Sequence, residues 1–300
     1  MTLIVGSLQL GVIYGLLALG VFITFRILNI PDLTADGSFT LGLAVSAGLS
    51  IAGHPLLGLF AALFAGSLAG IVTGLLQTKM GVHPILAGIL TMSGLYSVNL
   101  FIMGSSSNLS LIGQDTVFSL ASGAAHVSLN TSKTVFSLLI CLICTLLLSI
   151  FFKTHLGLCI RATGNNEDMV RASSINVDAV KIITLAVANA CIALSGAVIA
   201  QYQGFADISS GAGMVVIGLA SVIIGELFFG RRSVTLCLIS AVAGSVAYRI
   251  VIAIALKTNF FPAFALKLVS AFIVAAALSL PALKRRLKLG RMKKEAGRHS

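Results

Sequence analysis

The chain is short of charge. Only 10% of its 300 residues are Asp, Glu, Lys or Arg, 57% are hydrophobic, and the mean hydropathy is +1.05. A soluble domain carries about a quarter charged residues because its surface faces water. This composition therefore excludes an ordinary soluble protein and requires apolar surface turned to lipid. From Ser38 to Thr78 there is no Asp, Glu, Lys or Arg, and about 20 such residues suffice to cross a bilayer. No charged side chain precedes Arg26, so the charged start of a cleavable signal is not seen. Cysteines are few, and most of Cys141, Cys144, Cys159, Cys191 and Cys237 fall in apolar runs. There a thiol behaves as a small hydrophobe. Cys141 and Cys144 have no second cysteine pair or histidine nearby to complete a metal site, so no metal is expected.

The charges present are mostly basic, for a net charge of +11. Nucleic-acid binding is one source of such an excess, but the distribution argues against it. Eight of the twenty Lys and Arg residues lie between Lys284 and Arg298, in a basic tail over 284–300. Most of the others sit between apolar segments, where topology places them.

Hydropathy predicts an all-α polytopic membrane protein with eight to nine spans: Leu3 to Phe25, Gly37 to Ala52, Leu56 to Leu76, Ile85 to Met103, Val135 to Phe152, Ile182 to Tyr202, Gly213 to Phe229, Val234 to Leu256 and Phe264 to Leu283. The second is short and follows the interrupting stretch Asn29-Ile30-Pro31-Asp32, so one segment is expected to be broken or re-entrant. With nine crossings and a cytoplasmic tail, sixteen Lys and Arg residues fall inside and only Lys133 and Lys257 in outer loops. That bias fixes the orientation and puts the 153–181 loop in the cytoplasm. Glycines at helical spacing, Gly11 and Gly15, then Gly66, Gly70 and Gly74, predict close helix approach.

In the 153–181 loop, Asn165 is placed to cap a short helix whose first turn holds Glu167 and Asp168, with Arg171 further along. Anions at the start and a cation later suit the helix dipole. A capped, charged helix between two spans is a docking knob for a cytoplasmic partner, or else a tidy solvated loop. Inside the spans, ionisable residues are functional candidates by default. Glu226 is expected to pair with Arg231 or Arg232, Lys267 to reach the headgroups, and Arg249 to need a carboxylate (Asp36 or Asp207), helix carbonyls or a hydrated cavity. Pro31 bars helix for Ile30, and Asp32, Thr34, Asp36 and Ser38 follow with polar atoms. Non-helical backbone at membrane depth is tolerated where it is buried or lines water.

The run Gly157, Arg161, Ala162, Gly164, Asn166 and Arg171-Ala172 resembles the cytoplasmic coupling loop of the branched-chain amino acid and ribose-type ABC importer permeases. The likeness continues through Ala193 to Ala197, Gln201 to Asp207, Ile217 to Glu226, Tyr248-Arg249, Lys267-Leu268 and Pro281. Upstream, Leu28-Asn29 to Asp36-Gly37-Ser38-Phe39 resembles the first-loop motif. His83 to Leu90 and Leu95 to Leu100 resemble the subgroup paired with aromatic amino acid binding proteins. Two positions depart from the pattern: Ser174 stands where Gly is usual, and Phe101 where the subgroup carries a basic residue.

The resemblance implies a permease domain over 1–283 in a bacterial inner membrane. Its expected partners are a second permease copy, a cytoplasmic ATPase and an extracytoplasmic solute-binding protein. Residues Arg161, Gly164, Asn165, Asn166, Glu167, Met169, Val170 and Arg171 would couple to the ATPase; Asp32, Thr34, Asp36, Ser38 and Arg249 would line the pathway. The chain has no Gly-x-x-x-x-Gly-Lys-[Ser/Thr] loop to hold nucleotide phosphates, so the partner subunit is expected to use the ATP and this chain no cofactor of its own. The rival is an ion-driven secondary transporter with Asp32, Asp36 or Glu226 carrying a proton; an inverted pair of broken helices, its usual mark, is not visible in the sequence. An intramembrane enzyme would need a nucleophile facing a base, and His83 and His155, at loop edges, supply neither.

Overall fold

The computed structural model describes residues 2–230 and 233–257 and the isolated positions 271 and 275. Eight long helices run through the described residues: α1 (Thr2–Phe22), α2 (Thr34–Ile51), α3 (Pro55–Thr78), α4 (Pro84–Ile102), α6 (Leu129–Phe151), α9 (Val177–Gln203), α10 (Met214–Phe229) and α11 (Val234–Lys257). Short helices α5 (Val117–Ala125), α7 (His155–Asn165) and α8 (Glu167–Ala172) fill the two long loops. Among the described residues, seven segments are long and apolar enough to cross a membrane. Helix α2 is not among them, although it occupies the second predicted span. The ninth predicted span, the basic tail, Lys267, Arg231 and Arg232 lie outside the described residues.

Helix α2 is polar for a span because it does not face lipid. Thirteen of its 18 residues are buried, enclosed by α3, α4 and α9. Lipid supplies no hydrophobic force between helices, so contact depends on small residues that let backbones approach. The expected glycines act this way. A Cβ at Gly66, Gly70 or Gly74 would overlap α9, and one at Gly11 or Gly15 would press on α11. The lipid-facing sides are built from large aliphatic and aromatic residues, such as Phe60, Phe64 and Leu68 on α3 and Leu142, Leu146 and Leu147 on α6.

The outer loop and the chain after α9 meet in a small antiparallel ladder. Strand β1 (Asn108–Ser110) pairs with β2 (Phe205–Asp207), setting Asn108 opposite Asp207 and Leu109 opposite Ala206. Helix α5 follows β1 and is started by a capping box of Thr116 and Ser119.

Candidate functional site

Helix α1 does not end cleanly. Its last turn widens to a π-helix over Ile23–Ile27, Asn29 adopts a left-handed φ of 58°, and Pro31 keeps residues 28–33 from rejoining a helix. Asp32 sits at the end of this break and is 1% exposed. Its carboxylate accepts the Thr34 backbone N–H at 2.9 Å and the Asn189 side-chain amide at 2.8 Å. Asn189 is the thirteenth residue of α9, so at 1.5 Å per residue the start of α2 lies roughly 18 Å along that helix. The break is therefore buried within the bundle. Thr34 extends the polar interior: its hydroxyl meets that of Thr73 at 2.8 Å, which in turn meets Thr91 at 3.0 Å. Ser38 is fully buried, and its hydroxyl has no partner among the described residues.

Asp36 does something the sequence did not indicate. Helix α10 begins at Met214 behind Gly213, which has no side chain to cap it. Asp36 reaches across from α2 and accepts the N–H groups of Gly213 and Val215, both at 2.9 Å. An anion placed on the free N–H groups of a helix start satisfies them and interacts favourably with the dipole. The starts of α2 and α10 thus meet at Asp36. The chain reaches α10 through β2 and a short 3₁₀ turn, Ile208–Gly211. The sequence signal was faint: three glycines in ten residues, Gly204, Gly211 and Gly213.

Arg249 does not meet Asp36 or Asp207. Its guanidinium lies 3.7 Å from the centroid of the Tyr14 ring, and Tyr14 stacks on Phe39 with centroids 6.1 Å apart. A cation over an aromatic face is attracted by the ring quadrupole, which eases burial of a charge that finds no carboxylate among the described residues. Glu226 pairs with Arg26 at 2.5 Å, joining the end of α1 to the last turn of α10. The expected partners Arg231 and Arg232 lie outside the described residues.

The 153–181 loop folds largely as two helices, α7 and α8. Thr154 caps α7 by accepting the Gly157 N–H, and a Cβ at Gly164 would overlap the Ile27 carbonyl. Gly164 is thus the point where the loop rests on the frayed end of α1. The cap of α8 is Asn166, whose side-chain oxygen accepts the Met169 N–H at 3.0 Å. This corrects the expectation for Asn165, which is the last residue of α7. Two adjacent asparagines before Glu167 and Asp168 satisfy the capping preference equally, so residue type could not separate them.

Charges lock α8 in place. Glu167 holds Lys181 of α9 at 2.7 Å and Arg171 at 2.9 Å, while Asp178 meets Lys79 at 3.3 Å and Arg171 at 3.7 Å. Lys181 and then Arg171 hold the Glu167 carboxyl below its ordinary range. Val170 is 1% exposed and anchors the helix from beneath, whereas Met169 is 56% exposed. Of the two expected apolar contacts, only Met169 is presented outward. Arg161 and Asn165 are exposed beside the Arg26–Glu226 pair. Ser174 has a φ of 60°, so it adopts the backbone conformation for which glycine is favoured.

The sequence matches, over residues 3–278, the family model described as branched-chain amino acid transport system / permease component. The chain belongs to this family. It is 36% identical over 286 residues to the tyrosine transport system permease protein of Clostridioides difficile, covering 95% of this chain and 93% of that one. It is 26% identical over 227 residues to the autoinducer 2 import system permease protein LsrC of Yersinia enterocolitica, covering 75% and 60%. A solved structure, PsaBC from Streptococcus pneumoniae in complex with Fab, shares the fold with a TM-score of 0.58, 16% identity and coverage of 95% and 94%. The protein is a multi-pass membrane permease component of an ABC-type importer of small solutes.

Proposed function

We propose that this permease and a second permease subunit, identical or related, form the pathway of a bacterial inner-membrane importer. It is loaded by an extracytoplasmic solute-binding protein and driven by a separate ATPase that uses the ATP. Residues 1–283 form the membrane domain, 153–181 the coupling loop and 284–300 a basic cytoplasmic tail. The cargo is an amino acid or a related compound, in keeping with the relative named for tyrosine transport.

One observation carries the coupling assignment. Helix α8 offers an exposed Met169 while Asn166 caps its start, Val170 is buried and the Glu167–Lys181 pair ties the helix to α9. Movement imposed on α8 reaches α7, and through Gly164 it reaches Ile27 at the break between α1 and α2. Closure of the ATPase would pull on this lever and reorient the spans, and no bond in the solute is broken. Asp32, Thr34 and Ser38 are shut within the bundle in this conformation, so any contact they make with solute requires it to open.

The test is co-purification of the ATPase and transport-stimulated ATP hydrolysis with Met169→Asp and Arg171→Glu. Loss of both with normal membrane insertion is expected. Normal ATPase binding and uptake in both variants would remove α8 from the contact.

A further inference from the structure

We propose that the cleft at the coupling-loop end of α1, α10 and α11 is a binding site for the phosphate headgroup of an anionic lipid from the adjoining leaflet. The cleft encloses about 450 Å³, and its polar wall includes Arg26, Asn29, Arg161 and Asn165. Arg26 spends its charge on Glu226. Arg161 is exposed and makes no ion pair among the described residues. Ser233 also lines the cleft. Arg26 and Arg161 against Glu226 leave a net positive charge among the described lining residues, with amide and hydroxyl donors beside them.

The rest of the lining distinguishes a lipid from a free anion. Phe25, Ile27 and Val234 line the cleft beside Arg26 and Ser233, and Phe22 and Cys237 line it one turn further into their helices. Cationic and hydrogen-bonding groups set among apolar side chains that continue toward the middle of the span match an amphiphile whose phosphate stays at the surface. A small hydrated anion has no use for the apolar part. Basic pockets between spans on the cytoplasmic side hold anionic headgroups in this manner. Gly164 and Asn165 share the wall, so a bound headgroup bridges the coupling loop to the ends of α1 and α11.

The experiment reads lipid mass and needs neither ATPase nor solute, so it is independent of the transport reading. Wild-type permease is reconstituted in nanodiscs of phosphatidylcholine with phosphatidylglycerol, re-extracted in mild detergent and weighed by native mass spectrometry. Wild type is expected to retain phosphatidylglycerol. Arg161→Gln should lower retention about five-fold, the effect of one basic residue near a membrane surface, while Arg161→Lys and Lys153→Gln should stay near wild type. Arg161 is exposed, so these variants keep the fold. Equal retention in Arg161→Gln and Lys153→Gln would mean diffuse attraction and overturn the site, as would no retained lipid at all. A parallel thermal-shift titration with inorganic phosphate in detergent checks the other source. Protection by phosphate without lipid retention would make the cleft a free-anion site and defeat the proposal.

Discussion

Replacing Asn166 with alanine removes one hydrogen bond, from the Met169 N–H to the Asn166 side chain at 3.0 Å. Loss of an N-cap costs about 1 kcal/mol. The cost is concentrated because α8 has only six residues, far below the length at which a helix holds itself together in water. What remains is the buried Val170 and the Glu167 pairs with Lys181 and Arg171. If ATPase binding requires the folded helix, about 1 kcal/mol corresponds to roughly five-fold weaker apparent affinity. Asn165→Ala, in contrast, alters an exposed residue that ends α7 and caps nothing. Its affinity should stay within about two-fold of wild type, as surface changes outside such features usually do. The assay is titration of purified ATPase onto nanodisc-embedded permease, with hydrogen exchange over residues 167–172 as the structural readout. Faster exchange and weaker binding for Asn166→Ala alone supports the reasoning. An effect of Asn165→Ala equal to or larger than that of Asn166→Ala refutes it.

Other outcomes follow from the same geometry. Ser174→Gly should raise the thermal midpoint, since a left-handed backbone costs a non-glycine residue about 1 kcal/mol; a lower midpoint would show that the Ser174 side chain matters more than its φ of 60°. The Glu167 carboxyl is held low, so its contribution is full above its ordinary value near 4.5 and is lost as pH falls through the depressed value. Hydrogen exchange over α8 should therefore be steady from neutral pH down to about 5 once corrected for intrinsic rates, then accelerate in more acid solution. Glu167→Gln should flatten that acid limb, and an unchanged limb would assign it to another group. For topology, membrane-impermeant thiol reagents applied outside, in a background without native cysteines, should label Asn130→Cys and spare Asn165→Cys; the reverse pattern would invert the orientation.

The spans were legible because lipid imposes a simple requirement. Each crossing must be long and apolar, and helices α3, α6 and α9 are. Their termini extend beyond the apolar runs, as in α6, which starts at Leu129 with a polar first turn that hydropathy passes over. The glycine pattern on α3 was legible for a related reason: small residues repeated at helical spacing have few uses in a span other than contact. The 153–181 loop was legible as holding a charged helix between spans, although not to the residue, because a cap is set by backbone geometry that two neighbouring asparagines can equally serve.

The centre was harder to read because its residues satisfy one another across long sequence separations. Asp32 and Asn189 are 157 positions apart, and Asp36 reaches Gly213 across 177. No local pattern announces such a pair. A carboxylate beside a proline break reads as a pathway residue, yet Asp32 is closed in by the bundle, and both oxygens of Asp36 are engaged by the start of α10. Membrane physics explains this use of charge. An interrupted helix inside a bundle exposes N–H groups that lipid cannot satisfy, and a nearby carboxylate satisfies two at once. Polarity at membrane depth is therefore first a requirement of the broken backbone. A role in solute movement is an added use of a joint that the fold already needs, and the 153–181 loop packs against the end of α1, just before the break, through Gly164 and Ile27.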